Sequence, residues 1–229
     1  MDRQLLNQKI EENPFEPLWK IVYEFLKEEI ISLSVKPGSV LNEKQISETL
    51  EISRSPVTTA INLLVEDTLV IKKPGQSAVV TEINYQNYKK IMEARIAVET
   101  KAVGLATKII TKDQLAQLRN TLIEFEKYGN ENKLESSLLD DKFHKIIIKS
   151  ANNIYITKMY ETIQPWLLRY RYYVAHYTPE NIYSKNPSFH IAIYNALKLH
   201  LSEVAVSEII ADIERMEKVI LKLNIDINK

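Results

Sequence analysis

Two histidines and two carboxylates in the second half of the chain sit where apolar residues belong. Asp140 and His144 are four residues apart in a helical stretch, so both leave the same face. Phe143, Ile147 and Ile148 flank them and turn that face toward a core. His190 shares the apolar side of its segment with Ile193, Tyr194 and Leu197. Asp212 lies on the stripe Ala205, Ile209, Met216, Val219. A carboxylate on such a stripe is costly unless it is paired or bound to metal. Two imidazoles and two carboxylates converging inside a bundle suit a divalent cation: zinc, nickel or manganese. The plainer reading is core histidines hydrogen-bonded to neighbours, with Asp212 paired to a nearby Lys or Arg. His176 and His200 lack such a context and read as surface residues.

Arg95 and Glu99 interrupt the apolar stripe formed by Tyr88, Ile91, Met92, Val98, Ala102, Val103, Ala106 and Ile109. They form either a buried i, i+4 ion pair or a site in which the Arg95 guanidinium meets a carboxylate ligand bidentately. The aromatic run Trp166, Tyr170, Tyr172, Tyr173, Tyr177 either lines the same cavity or packs helices together.

The first half carries a different chemistry. Arg54 stands just before a short helix, where a guanidinium reaches a phosphate or a guanine edge. Ser53, Ser55, Thr58 and Thr59 are short donors around it, and Lys72, Lys73 and Gln76 lie in a hairpin tip.

The elements that must position these groups are mostly helices. The 229 residues are 45% hydrophobic, enough for a real core, and only 4 are glycine. The absence of cysteine excludes disulfides, thiol nucleophiles and Cys-based zinc sites. No apolar run is long enough to span a membrane, and the charged N-terminus does not read as a signal peptide, so a cytoplasmic location is expected.

Residues 1–16 read as a loose, polar arm. Leu18, Ile21, Val22, Phe25, Leu26 and Ile30 have helical spacing, and Lys36-Pro37-Gly38 ends that helix. Asn42 caps a short helix over 43–50, with Gln45 as its capping-box partner. Ser55 is expected to cap the next helix, with Pro56 in its first position and its end near Glu66. Leu69-Val70-Ile71 and Ala78-Val79-Val80 are strands around a hairpin tip. That order is a winged helix-turn-helix over 17–82, whose second helix enters the major groove of DNA. Residues 86–225 read as an all-helical effector-binding and dimerisation domain. The chain is expected to be helical from Tyr85 onward, with further helices near 112–128, 133–151, 154–177, 188–199 and 201–223, a kink at Pro165 and an irregular stretch over 178–187.

Charge argues against an easy DNA partner. Residues 1–84 hold 9 Lys and Arg against 13 Asp and Glu, a net −4, and the rest of the chain is net +4. The acids concentrate in the arm and the helix after it (Glu11, Glu12, Glu16, Glu24, Glu28, Glu29), where they can face away from DNA. Few neutralised phosphates mean a shallow salt dependence of binding.

The run Pro37-Gly38, Leu41, Glu43 and Ser53-Arg54-Ser55-Pro56-Val57, followed by its wing, resembles the N-terminal domain of the GntR family of bacterial transcription regulators. The resemblance implies operator DNA binding by a dimer, with Lys44, Arg54 and the wing in contact. The family usually has Arg-Glu where Thr58-Thr59 stand and Gly where Thr68 stands. One DNA contact is therefore missing, and the turn into the wing is expected to be strained. The helical half is similar to the FadR-type C-terminal domain, FCD. Arg95 and Glu99 match its Arg-x-x-x-Glu, Asp140-x-x-Phe143-His144 its most specific motif, Asn153 the asparagine that follows, and His190 its next histidine. The resemblance implies a metal held by Asp140, His144 and His190. The family's fourth ligand is a histidine where this chain has Asp212. Arg95, Glu99 and Asn153 are carried over as effector-binding residues. Two ligating carboxylates neutralise a divalent cation, and the harder oxygen moves preference from zinc toward manganese or magnesium.

The expected fold is mainly α: an N-terminal winged helix-turn-helix and a C-terminal FCD-like helical bundle. The expected function is a non-enzymatic, ligand-responsive transcription regulator. It would be a homodimeric repressor released by a small organic acid bound at the metal. The alternatives are a metal sensor in which the cation is the signal, and a metal-dependent hydrolase.

Overall fold

A computed structural model describes residues 1–128, 132–178 and 188–223. The irregular stretch expected over 178–187 lies, after Thr178, outside the described residues. The chain divides into two compact units, Met1–Ile83 and Asn84–Lys229. The architecture is mainly helical, a winged helix-turn-helix followed by a helical bundle.

In the first unit the elements are α1 (Arg3–Glu12), α2 (Leu18–Ile31), β1 (Val40–Leu41), α3 (Glu43–Leu50), α4 (Arg54–Glu66), β2 (Val70–Ile71) and β3 (Ala78–Val80). Residues 3–12, expected in a loose arm, form α1. Asp2 caps it by accepting from the Gln4 N–H at 2.8 Å, and Leu6 is wholly buried. Lys9 pairs with Glu28 at 2.8 Å and Arg3 with Glu51 at 2.5 Å. Average polarity had concealed a single anchoring leucine.

Asn42 caps α3 through the Gln45 N–H at 3.1 Å, at the expected place. The α4 helix instead begins two residues before its expected start. Ser53 is its N-cap position, and Pro56 is the third helical residue. Proline fits there because the first four N–H groups of a helix have no intrahelical partner in any case.

The wing is a three-stranded sheet of order β1-β3-β2 rather than a lone hairpin. Val40 faces Val79 and Val70 faces Val80, both in antiparallel register. Val22, Phe25, Leu26, Ile30, Val57, Ile61, Leu64 and Leu69 fill the core between α2, α4 and the sheet. Thr68, at the turn into β2, has φ +62°, the left-handed conformation that glycine adopts without cost. The expected strain is therefore present.

The second unit contains α5 (Tyr85–Ile109), α6 (Lys112–Tyr128), α7 (Lys133–Ser150), α8 (Ile154–Tyr177), α9 (Ser188–Lys198) and α10 (Ser202–Lys222). Asparagine side chains start three of them. Asn84 caps α5, Asn132 caps α7 and Asn153 caps α8. Val103, Ala106, Leu118, Phe143, Ile147, Ile193, Leu197 and Ile209 make one continuous core from α5, α6, α7, α9 and α10. The α8 helix runs through Pro165 and packs on α5 and α7. Among the described residues no helix is long and apolar enough to cross a membrane.

Candidate functional site

The four residues singled out for metal chemistry come together. Asp140 and His144 project from α7, His190 from α9 and Asp212 from α10. One ligand atom from each lies within 4.8 Å of all the others, and all four are buried.

Each member of the cluster but one is aimed by a second residue. His144 Nδ1 lies 2.6 Å from Glu99 Oε2, which leaves Nε2 facing the cluster, 3.1 Å from Asp212 Oδ2 and 3.9 Å from Asp140 Oδ1. The other oxygen of Glu99 accepts from Arg95 Nε at 2.6 Å. Asp140 Oδ2 accepts from Arg171 Nη2, and its Oδ1 faces His190 Nε2 at 3.0 Å. Asp212 Oδ1 takes Arg215 Nη2 at 3.4 Å. Neither ring nitrogen of His190 makes an aligned hydrogen bond among the described residues. Such a buried, unsatisfied imidazole next to two carboxylates fits a cation-binding donor set.

Without a cation the electrostatics favour a protonated His144, a proton that metal binding has to displace. Burial opposes charge on His144, but the Glu99 carboxylate outweighs it and raises the pKa to about 9. Burial likewise opposes ionisation of Glu99, and Arg95 with His144 overrides it, lowering the pKa to about 2. Against their own burial, Asp140 is held low by Arg171 and Asp212 by His190 and His144. Both carboxylates are thus anionic donors at neutral pH.

Arg95 and Glu99 form the buried i, i+4 ion pair of the structural reading, with Nη2 of Arg95 left without a hydrogen bond among the described residues. Glu99 spends both oxygens on Arg95 and His144. Asn153 is not with the cluster by its contacts. Its Oδ1 accepts from the N–H groups of Tyr155 at 3.0 Å and Ile156 at 3.3 Å, a helix cap. The aromatic run divides. Trp166 and Tyr170 are buried, Tyr170 packs edge-on against Tyr88, and its hydroxyl donates to the Asn84 carbonyl. Tyr177 is exposed. His176 and His200 are both exposed, as expected.

The sequence reading missed Arg171, Asp141 and Arg215. Arg171 is a buried fork: Nη2 to Asp140 and Nη1 to Asp141 Oδ1 at 2.7 Å. Asp141 also receives Tyr160, Gln164 and Lys145. Arg171 interrupts α8's buried face much as Arg95 interrupts α5's, and that was the available signal.

In the first unit, Lys44, Arg54, Lys72 and Gln76 line one cleft of ≈ 350 Å³ between α3, the start of α4 and the wing. Ser53 and Ser55 bracket Arg54, and Thr58 lies one turn further along α4. Lys73 follows Lys72 in the wing loop and is exposed.

Residues 18–80 match the family model of bacterial regulatory proteins, gntR family, and residues 90–215 match the FCD domain. The chain is a GntR-family regulator of the FCD type. It is 27% identical over 188 residues to the HTH-type transcriptional repressor RspR of Escherichia coli K12, covering 81% of each chain. With the gluconate operon transcriptional repressor of Bacillus subtilis it shares 28% over 148 residues, 64% of this chain and 60% of that one. Among solved structures, E. coli McbR/YncC superposes with a TM-score of 0.76 at 21% identity, over 91% of this chain and 99% of that one. A GntR regulator from Rhodococcus gives 0.70 at 23% identity, over 89% and 97%. The regulator is thus a DNA-binding transcription factor, and its relatives and both domains are regulators rather than enzymes.

Proposed function

We propose that this regulator is a cytoplasmic, homodimeric repressor whose DNA grip is released by a small organic acid bound at a divalent cation in the helical domain. The observation that carries the reading is the convergence of four buried candidate ligand atoms, with the Glu99 carboxylate orienting the His144 ring. Asp140, His144, His190 and Asp212 would hold the cation, which supplies a Lewis-acidic point for an effector carboxylate. Arg95, with Nη2 unspent, is the guanidinium assigned to the effector, and Glu99 positions both Arg95 and His144. Tyr88 adds a buried hydroxyl without a partner among the described residues.

On the DNA side, Arg54 is assigned to a base edge. Lys44, Ser53, Ser55, Thr58, Lys72, Lys73 and Gln76 surround it as backbone and wing contacts. The effector acts only if it prefers the state that cannot bind DNA, since equal affinity for both states shifts nothing.

Elemental analysis of chelator-free protein, with melting scans in EDTA and in added zinc, nickel or manganese, tests the site. Stoichiometric metal with a melting shift is expected. No bound metal and no shift would sink the reading. DNA release by the cation alone, with no organic acid added, would make the cation itself the signal.

A further inference from the structure

Glu43 is the only acidic side chain lining the cleft between the wing and the two DNA-facing helices, among the described residues. An acid on a surface that must approach phosphates is repulsive unless something holds it. Two groups do. Lys72 Nζ, from the wing, lies 2.7 Å from Glu43 Oε1. Thr58 Oγ1, from α4, donates to Glu43 Oε2 at 2.7 Å. One carboxylate at the start of α3 therefore ties the wing to α4. These bonds, Lys72's first, hold the Glu43 carboxyl below its ordinary range, so it is ionised at neutral pH.

This pairing changes the cation inventory of the DNA face. Residues 1–84 are net −4, so each available cation there matters. Lys72 is neutralised by Glu43, and Lys44 stands 3.9 Å from Glu48 with both side chains largely exposed. Arg54 lines the same cleft and acts on Glu43 through its charge, and Lys73 is exposed in the wing loop.

We propose that Glu43 is a specificity-determining residue of the DNA-binding surface: it withholds Lys72 and Thr58 from generic phosphates and yields them only where a site satisfies all three groups together. A generic duplex offers Lys72 a phosphate but leaves Glu43 facing negative charge. A cognate site can offer Glu43 a donor, and the cytosine N4 amino group is the base-edge donor suited to a carboxylate. Discrimination then comes from a clamp that lowers generic affinity, a repulsive element beside the attractive ones.

The inference rests on the DNA-facing role assigned to this cleft. It is tested with the full chain and a fluorescent duplex of arbitrary sequence, titrated at several KCl concentrations. Glu43→Gln, Lys72→Gln and the double variant complete a cycle. The amide oxygen introduced by Glu43→Gln still accepts from Thr58, so the local fold is retained. Glu43→Gln is expected to tighten generic binding several-fold. Lys72→Gln is expected to lower the salt slope of generic binding less when Glu43 is present than in the Glu43→Gln background. Added to Glu43→Gln, it should lower the slope by about 0.9, the loss of one phosphate contact. An equal decrease in both backgrounds would show that Lys72 already reaches phosphate and would overturn the clamp. No change in either background would overturn it too, since Lys72 would then lie away from DNA. A wild-type chain whose generic binding ignores salt would instead sink the DNA-facing role of the cleft.

Discussion

Glu99 Oε2 and His144 Nδ1 lie 2.6 Å apart in the interior of the helical domain, one on α5 and the other on α7. The carboxylate decides which imidazole nitrogen faces Asp140 and Asp212. Because its second oxygen is held by Arg95, its orientation is fixed from two sides. Glu99→Gln is expected to lower metal affinity by about 10–100-fold without removing a ligand. Competition against a chromophoric chelator measures it. Wild-type affinity in the variant would reduce Glu99 to a structural partner of Arg95.

Arg171 holds two adjacent buried carboxylates, so its removal should be severe in the metal-free chain. Arg171→Met is expected to destabilise the protein by about 3–5 kcal/mol, the cost of an uncompensated buried charge. The triple variant Arg171→Met, Asp140→Asn, Asp141→Asn should recover much of that loss. Urea denaturation compares both with the wild type. A triple variant as weak as the single one would assign the loss to packing rather than charge.

Thr68 pays for a left-handed conformation at φ +62°. A β-branched residue there costs about 1–2 kcal/mol, partly offset in Thr68→Gly by glycine's greater entropy loss on folding. The variant is expected to gain about 1 kcal/mol, read as a higher urea midpoint. A lower midpoint would mean that the Thr68 side chain contributes more than the strain removes.

Lys27 bridges α2 to the end of α4, 2.7 Å from both the Tyr23 hydroxyl and Asp67 Oδ2. Burial opposes its charge, but Asp67 and Tyr23 outweigh burial and raise its pKa above 10.5. A raised folded-state pKa gives stability that is fully present below 10.5 and lost as pH climbs through the higher value. The stability difference between wild type and Lys27→Met should therefore stay level from neutral pH to about 10 and shrink above 10.5. A difference that is flat through that range would remove the linkage.

Arg54→Ala is expected to weaken operator binding by about 1–3 kcal/mol if Arg54 reads a base edge. Titration of the folded variant against an operator selected from random duplexes provides the check. Unchanged affinity would leave Arg54 without that role.

Much of this architecture was legible in the sequence because its signals are local. Helical spacing of Leu18, Ile21, Val22 and Phe25 places α2, and the Asn42 cap places α3. The cluster of Asp140, His144, His190 and Asp212 was legible because each member breaks an apolar stripe. Partnerships between helices were not. Arg171 and Asp140 are 31 positions apart, and no spacing rule pairs them. Glu99 could be read as Arg95's partner from their i, i+4 separation, but its hold on His144, 45 positions away, needs the packed bundle. The α1 helix escaped because one buried leucine among charged residues leaves no periodicity. Strand β1 escaped because two residues carry no alternation, and only its pairing with β3 defines it.

That pairing also bears on how the DNA-binding unit folds. Val40 and Val79 are joined through α3, α4 and the whole wing, so β1 cannot dock until most of the unit has already collapsed. Contacts between residues so distant in sequence are late and slow to form, since chain closure must precede their reward. The unit is therefore expected to assemble as one cooperative event, in which the wing and the helix-turn-helix are gained or lost together. Amide hydrogens of Val79 and Val80 would then exchange at the rate of the buried backbone of α4, although they lie within a strand of three residues.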